Sequence, residues 1–192
     1  MPSILRNEKS YSDHRENWGD CQRCELADRR KSVCLLRGHI PAAVLFVGEA
    51  PGSSEDVLGR PFVGPAGHLL SRMLKRAGLP EEIAAFTNLL ACIPKDEDNK
   101  KVHNPSQFPE ALKRCSVRLK SVTNLVKPSL IVWVGKEAEE YGPKTLSSYI
   151  KDKSVHTVAI LHPAYILRLD VSQQGLAFQR NVIALRDALD EL

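Results

Sequence analysis

Four short apolar runs recur along the chain and alternate with amphipathic segments. They cover Ala42–Val47, Ala85–Cys92, Leu130–Val134 and Val155–Leu161. The first and third are apolar at every position, which is typical of strands buried on both faces of a parallel sheet. The sequence therefore predicts an α/β fold with three layers, in which helices cover both faces of a central, mostly parallel four-stranded sheet.

Periodic apolar positions predict helices over Pro65–Gly78, Ser106–Val126, Lys136–Tyr141 and Leu176–Leu192. A loop or a short helix is expected after the third of these. Residues 1–20 show no clear apolar period. We therefore expect one domain over residues 1–192, with residues 1–20 as an arm or a short helix that docks late.

Composition excludes several classes of protein without naming a function. The chain is 43% hydrophobic and 26% charged, which excludes a disordered or collagen-like protein. Its net charge of +4 permits nucleic-acid binding but does not show it. No apolar run reaches the roughly 18 residues of a membrane span, and the polar N-terminus lacks a secretory signal. We expect an intracellular protein without membrane association, whose five cysteines do not form a disulfide framework.

Chemistry is expected beyond the carboxyl ends of the predicted strands, where ligands of open parallel sheets bind. Glu49 directly follows the first strand, in a loop with several glycines and carboxylates. This loop lacks the GxxxxGK[ST] and GxGxxG patterns, so a phosphate site is not indicated. Glu49 is placed as a general base would be. The alternative is that Glu49 caps the next helix and the glycines only form turns.

Two further side chains stand at strand ends. His162 follows the fourth strand, and a histidine there can donate a hydrogen bond to a developing oxyanion. Asn88, at the end of the second, carries a donor and an acceptor on one flat amide, which suits a nucleobase edge. A structural histidine and an ordinary turn asparagine are the alternatives.

Four cysteines form a candidate metal site: Cys21 and Cys24 in a CxxC pair, then Cys92 and Cys115. Four thiolates can hold a [4Fe–4S] cluster or a structural zinc ion. The second pair is too widely spaced for a two-knuckle zinc ribbon. A redox-active CxxC pair, or an accidental one, is the alternative. Cys34 lies in an apolar run and is expected to be a small core residue.

Together these motifs resemble the iron–sulfur uracil-DNA glycosylases, family 4 of the uracil-DNA glycosylase superfamily. The matching pieces run in family order: Cys21 and Cys24, GEAPGSSED at 48–56, GRPFVGPAGHLL at 59–70, TN at 87–88, Cys92, Cys115 and HPAYILR at 162–168. The resemblance implies a DNA glycosylase that flips uracil out of DNA and hydrolyses its N-glycosidic bond, which starts base-excision repair. It also implies a partner, uracil-containing DNA in single- or double-stranded form, and we expect a monomer.

The resemblance assigns roles at one pocket. Phe62 would stack on the flipped ring and Asn88 would bind the uracil edge. Gly48 and Ala50 would line the same uracil site, and Glu55 would occupy the space that the methyl group of thymine needs.

The remaining implied roles concern catalysis, DNA and the cluster. Glu49 would orient or activate a water towards C1′, and His162 would stabilise negative charge on uracil O2. Tyr165, Ile166 and Leu167 would wedge into the duplex, and Arg168 would meet a phosphate. A [4Fe–4S] cluster with a structural role would be bound by Cys21, Cys24, Cys92 and Cys115.

The segment between Cys92 and Cys115 departs from the family. It is longer than usual, and Ile93 stands where a basic residue is common. Its KKVHNPS stretch at 100–106 faintly resembles the basic loop of related glycosylases that bond covalently to uracil-DNA. The alternative function is therefore a protein that traps uracil-DNA without turnover, covalently through His103. Ala50, which that group usually replaces by Gln, favours turnover.

Overall fold

The fold is built on a five-stranded sheet in a computed structural model that describes residues 8–102 and 104–192. The strands are β1 (Arg37–Gly38), β2 (Val44–Gly48), β3 (Ala84–Asn88), β4 (Leu130–Val134) and β5 (His156–Ile160). Their spatial order is β1-β3-β2-β4-β5, and only β1 runs antiparallel to its neighbour. The predicted α/β class is confirmed. The extra strand, β1, has two residues and is too short to carry a readable pattern.

Helices surround this sheet. They are α1 (Tyr11–Trp18), α2 (Ser53–Leu58), α3 (Pro65–Ala77), α4 (Pro109–Val126), α5 (Lys136–Thr145), α6 (Ser147–Lys153), α7 (Pro163–Ile166) and α8 (Val171–Asp190). Helix α8 begins five residues before its predicted start, because its first turn is solvent-exposed and has no apolar stripe. None of the described helices combines the length and apolar character needed to cross a bilayer.

Alternate strand residues pack on opposite faces of the sheet, as the pleat requires. Phe46 and Val132 point towards α3 and α8, whereas Leu45 and Ile131 pack with residues of α4, α5 and α6. Both faces are thus covered by helices, in the three-layer arrangement predicted from the uninterrupted apolar runs.

The N-terminal segment docks on the α4 side of the sheet. Helix α1 contacts α4 and begins with a capping box between Ser10 and Asp13. Trp18 is buried in a third apolar cluster, together with Leu26, Cys92 and Cys115. This cluster joins the N-terminal segment to the chain that follows β3, because it draws residues from both.

Candidate functional site

The carboxyl ends of the central strands bring the predicted base-reading residues together. Gly48 and Asn88 are paired in register where β2 and β3 end. A Cβ atom on Gly48 would lie 2.6 Å from Cζ of Phe62 and would also overlap the Asn88 side-chain oxygen. Only glycine therefore lets the amide and the aromatic ring close on the strand end. No hydrogen bond is found for the Asn88 side-chain amide among the described residues.

This packing predicts a large effect for Gly48→Ala. The added methyl group must displace Phe62 or Asn88, and overpacking of this kind costs about 1–3 kcal/mol. We expect the melting temperature to fall and the uracil-excision activity that the resemblance implies to drop at least tenfold in kcat/KM. Gly175→Ala is the matched control, because nothing lies within 4 Å of a Cβ there. Unchanged kinetics in Gly48→Ala would show that the ring and amide have no role in substrate binding.

Phe62 is held in an unusual backbone conformation by the loop around it. Its φ is +55°, a left-handed value that is rare for an aromatic residue. The Glu55 carboxylate fixes this loop, since it accepts hydrogen bonds from the backbone N–H groups of Gly52 (3.1 Å), Val63 (3.0 Å) and Gly64 (2.7 Å). Both Glu55 oxygens are thus bound to backbone. That Glu55 also excludes the thymine methyl group stays a prediction.

His162 is poised as a neutral hydrogen-bond donor. Its Nδ1 accepts a hydrogen bond of 3.1 Å from the backbone N–H of Ala164, which leaves the proton of the neutral ring on Nε2. Burial lowers the pKa of His162 to about 4, helped by the positive charges of Lys101 and Arg168. The ring stacks near Phe62, with 6.4 Å between the ring centroids.

The pKa of Glu49 is shifted upward, whereas that of His162 is shifted downward. Burial and the nearby Glu137 carboxylate raise the pKa of Glu49 to about 7, although Lys101 and Arg168 pull it down. A carboxylate that titrates near neutral pH is matched to proton transfer at that pH. The side chain is therefore suited to the base role that its position after β2 predicts.

One cavity of about 590 Å³ contains both of these groups. Its walls include Glu49, His162, Ala50, Lys101, Glu137, Glu139, Tyr165, Arg168 and Arg180. Phe62 and Asn88 do not line it; they are 7% and 3% exposed and lie behind Gly48. The expected single pocket is therefore only partly formed. Glu49 and His162 share the cavity, whereas the Phe62 ring and the Asn88 amide are closed against the strand end and do not line it.

Three cavity residues were missed by sequence reasoning. Lys101 is carried by a hairpin-like turn, in which it bridges to Lys95, and Lys95 Nζ lies 3.2 Å from Asp56. The Lys100-Lys101 pair was its only signal. Glu137 stands in the first turn after β4, a strand-end position that could have been considered. Arg180 lies on α8, where no motif marks it.

The residues expected at the DNA surface divide into two groups. Tyr165 and Leu167 are 45% and 44% exposed, and Arg168 is exposed beside the cavity. Ile166, by contrast, is 1% exposed and packs in the core against the α8 side of the sheet. The predicted wedge is therefore restricted to Tyr165 and Leu167, because consecutive residues of α7 point in different directions.

The four candidate metal ligands converge around one small cavity. Cys21, Cys24, Cys92 and Cys115 all line it, with Trp18 and Arg118. Burial raises the pKa of the Cys24 thiol to about 11, and the negative charges of nearby groups such as Cys115 add to the shift. The pKa of the Cys92 thiol is raised for the same reasons. Cys92 and Cys115 are buried and Cys21 and Cys24 are half-buried, so thiolates at these four positions would need a positive partner.

The geometry of these thiols does not describe a single-ion site. Within residues 8–102 and 104–192, no group of three or more His, Cys, Asp or Glu side chains could hold one metal ion. Cys34 stands apart from the set, as expected of a core residue: its buried Sγ donates to the Glu55 carbonyl at 3.1 Å.

Comparisons with known proteins identify the family of the chain. The family model of the uracil DNA glycosylase superfamily matches residues 37–185. The chain therefore belongs to the uracil DNA glycosylase superfamily. Within it, a type-4 uracil-DNA glycosylase of Archaeoglobus fulgidus is 33% identical over 162 residues, 77% of this chain and 78% of the relative. Another, of Thermotoga maritima, is 30% identical over 157 residues, with the same coverage. The resemblance to this type is confirmed.

A solved structure supports the same fold. The crystal structure of wild-type SMUG2 of Pedobacter heparinus superposes with a TM-score of 0.62 over 79% of this chain and 77% of that chain. Its sequence is only 15% identical, so this likeness shows the fold alone.

Proposed function

We propose that the protein hydrolyses the N-glycosidic bond of uracil in DNA and so starts base-excision repair. The observation that carries the proposal is the shared cavity of Glu49 and His162 at the strand ends. The family and the type-4 relatives support it. The trapping alternative is not supported by these comparisons, and His103 lies outside the described residues.

Binding begins with extrusion of the nucleotide, because the reacting C1′ atom is not accessible inside a duplex. The flipped ring stacks on Phe62, which must open from its packing against the strand end. Asn88 reads the uracil edge with its amide, and cytosine presents a different donor and acceptor pattern there. Gly48 and Ala50 line the base site and leave room for the ring.

The chemical step uses the two groups in the cavity. Glu49 orients a water molecule towards C1′ and accepts its proton as the C1′–O bond forms. The C1′–N1 bond breaks, and its electron pair leaves with the uracil as negative charge. His162 stabilises this charge at O2 through its Nε2–H. Because His162 is neutral, it donates a hydrogen bond without giving up its proton.

Positive side chains around the cavity hold the DNA. Arg168, Lys101 and Arg180 line its walls and are placed to meet phosphates. Tyr165 and Leu167 fill the space that the extruded base leaves. These contacts do not select between single- and double-stranded DNA, and we propose that a monomer acts on both.

A [4Fe–4S] cluster is the proposed cofactor, held by Cys21, Cys24, Cys92 and Cys115. Four thiolates are the ligand set that a [4Fe–4S] cluster would need, and these four cysteines line one cavity. Such a cluster would join the N-terminal segment, which carries Cys21 and Cys24, to the chain after β3, which carries Cys92. Iron and sulfide in equal amounts in the purified protein test it.

The activity is tested with uracil-containing oligonucleotides. We expect cleavage at the abasic site after alkali for U·G, U·A and single-stranded U, with no protein–DNA band on a denaturing gel. Intact substrates after incubation with micromolar protein would overturn the proposal. A denaturation-resistant band that His103→Ala removes would favour trapping instead.

The pH dependence provides a second test of Glu49. Because Glu49 must be ionised to accept a proton, kcat/KM should rise with pH through about 7 and then level off. His162, with a pKa of about 4, stays neutral over this range. In Glu137→Gln the rise should move to lower pH, because a neighbouring negative charge is lost.

Glu139→Gln is the matched control for the pH experiment. Glu139 lies on the same helix and lines the same cavity, but it is not among the groups that shift the pKa of Glu49. Its profile should follow that of the parent protein. If the rise of kcat/KM occurs at the same pH in Glu137→Gln as in the parent protein, a group other than Glu49 must be the one whose ionisation causes that rise.

A further inference from the structure

Arg118 is a fully buried cation with no acidic partner. It is 1% exposed and lies on α4, one turn after Cys115. No carboxylate of the described residues forms an ion pair with it, and residues 1–7 and 103 include no Asp or Glu. An unpaired buried charge costs several kcal/mol in a protein interior. Three backbone carbonyls and the Thr87 hydroxyl offset part of this cost, and a negatively charged group nearby would offset more of it.

The two terminal nitrogens of the Arg118 guanidinium are hydrogen-bonded, whereas its Nε is not. Nη1 donates to Thr87 Oγ1 at 3.0 Å, and Nη2 donates to the backbone carbonyls of Asn88 and Leu89, the latter at 3.3 Å. Nε is buried and has no hydrogen-bond partner. Arg118 also lines the small cavity of the four cysteines. Arg118 thus lines the cavity of the proposed cluster ligands and has one N–H group without a hydrogen-bond partner among the described residues.

We propose that Arg118 is a positioning residue that supplies the counter-charge of the cluster and connects it to the base-reading strand end. The inference rests on the proposed cofactor. Four thiolates around a [4Fe–4S] core form a negatively charged group, and hydrogen bonds to its sulfurs set its potential and stability. The free Nε–H of Arg118 is the donor for such a bond. Its other N–H groups hold the Asn88 carbonyl in place.

The other arginines near the four cysteines are differently placed. Arg114 also lines the cavity, but it is exposed and forms an ion pair of 2.7 Å with Glu110. Arg30 donates to the Cys21 carbonyl at 2.7 Å and lies 3.7 Å from Asp20, and Arg23 donates from Nη1 to Cys21 Sγ at 3.6 Å. Neither Arg30 nor Arg23 is among the residues that line the cavity. Of the two arginines that line it in the described chain, Arg114 has an acidic partner, whereas Arg118 has an N–H group without a hydrogen-bond partner and no acid.

The test compares Arg118→Met, Arg118→Lys and the control Arg114→Met as purified holoproteins. The measurements are iron and sulfide content, the rate of bleaching by an iron chelator and the reduction potential of the cluster. Arg118→Met should lose the cluster or bleach at least tenfold faster than the parent. Arg118→Lys keeps the charge without the fork of donors, so it should bleach at an intermediate rate and have a lower potential. Arg114→Met should match the parent.

The outcomes separate this inference from the cofactor proposal. A parent protein without iron and sulfide would overturn the cofactor, and with it the role of Arg118. A loaded parent with an Arg118→Met variant that retains the cluster and bleaches at the parent rate would overturn the role of Arg118 alone. If Arg118→Met does not fold, Arg118→Lys decides: parental bleaching and an unchanged potential would contradict the proposal.

Discussion

Glu49→Gln is expected to lower kcat/KM on uracil-DNA by about 10²–10⁴-fold and, at the same time, to stabilise the fold. The activity falls because glutamine has nearly the same shape but cannot accept the water proton. A single-turnover excision assay at pH 8 measures the loss, since Glu49 is ionised in the parent there.

The gain in stability follows from the raised pKa. The carboxyl group titrates at about 7 in the folded protein, against an ordinary value of 4.5. The folded state therefore binds more protons between these values, and the stability of the parent falls as the pH rises through this window. Above pH 7 the buried carboxylate costs on the order of 3 kcal/mol. Glu49→Gln removes this cost, so its melting temperature should exceed that of the parent at pH 8 and match it near pH 4.

Glu139→Gln controls for the loss of a charge from the cavity wall. It should change neither the melting temperature nor the excision rate by a comparable amount. Full turnover in Glu49→Gln would remove Glu49 from the mechanism. A lower melting temperature at pH 8 would show that its carboxylate is paired rather than strained by burial.

The sheet was predictable because burial on both faces leaves uninterrupted apolar runs. All four predicted strands are present, and β2 covers Val44–Gly48 within the first run and its following glycine. Strand β1 was not predictable, since two residues paired with β3 carry no period of their own. Helix α6 was left open as a loop or a short helix, and Ser147–Lys153 has no buried residue to form a stripe.

The location of a candidate site residue was predictable where that residue directly follows a strand. Glu49 and His162 both follow strands and meet in one cavity, although 112 positions of unrelated sequence separate them. The sequence could not reveal that Phe62 and Asn88 close against Gly48, because that contact depends on side-chain packing across β2 and β3. Nor could it reveal Lys101, which reaches the cavity only because the segment after Cys92 folds back on itself.

Burial also corrects what a motif suggests. The sequence alone does not distinguish the three adjacent hydrophobic side chains Tyr165, Ile166 and Leu167. In the structure the helical geometry of α7 buries Ile166 in the core and leaves the other two exposed. A helical turn of four residues was not visible in a segment that begins with His162 and Pro163, although proline at the first position of a helix is common. The motif likewise suggests that Glu55 contacts the substrate. In the structure its carboxylate accepts hydrogen bonds from the backbone of the loop that carries Phe62.

His162→Ala is expected to reduce kcat/KM by about 10²–10³-fold, the usual loss when a preorganised oxyanion donor is removed. The donor is preorganised in two ways. The Ala164 N–H bond fixes the proton on Nε2, and a pKa of about 4 keeps the ring neutral at working pH. The variant should retain the fold and the cluster, which circular dichroism and iron content can verify.

His156→Ala is the matched control for this histidine. His156 lies at the other end of β5, is exposed, and has Nδ1 3.6 Å from a Glu191 oxygen, far from the strand ends that form the cavity. Its excision rate should equal that of the parent. His162→Gln, which keeps an N–H group without its fixed direction, should fall between the two. If His162→Ala turns over as fast as His156→Ala, the charge on the departing base must be stabilised by other groups, and Lys101, which lines the same cavity, is one candidate.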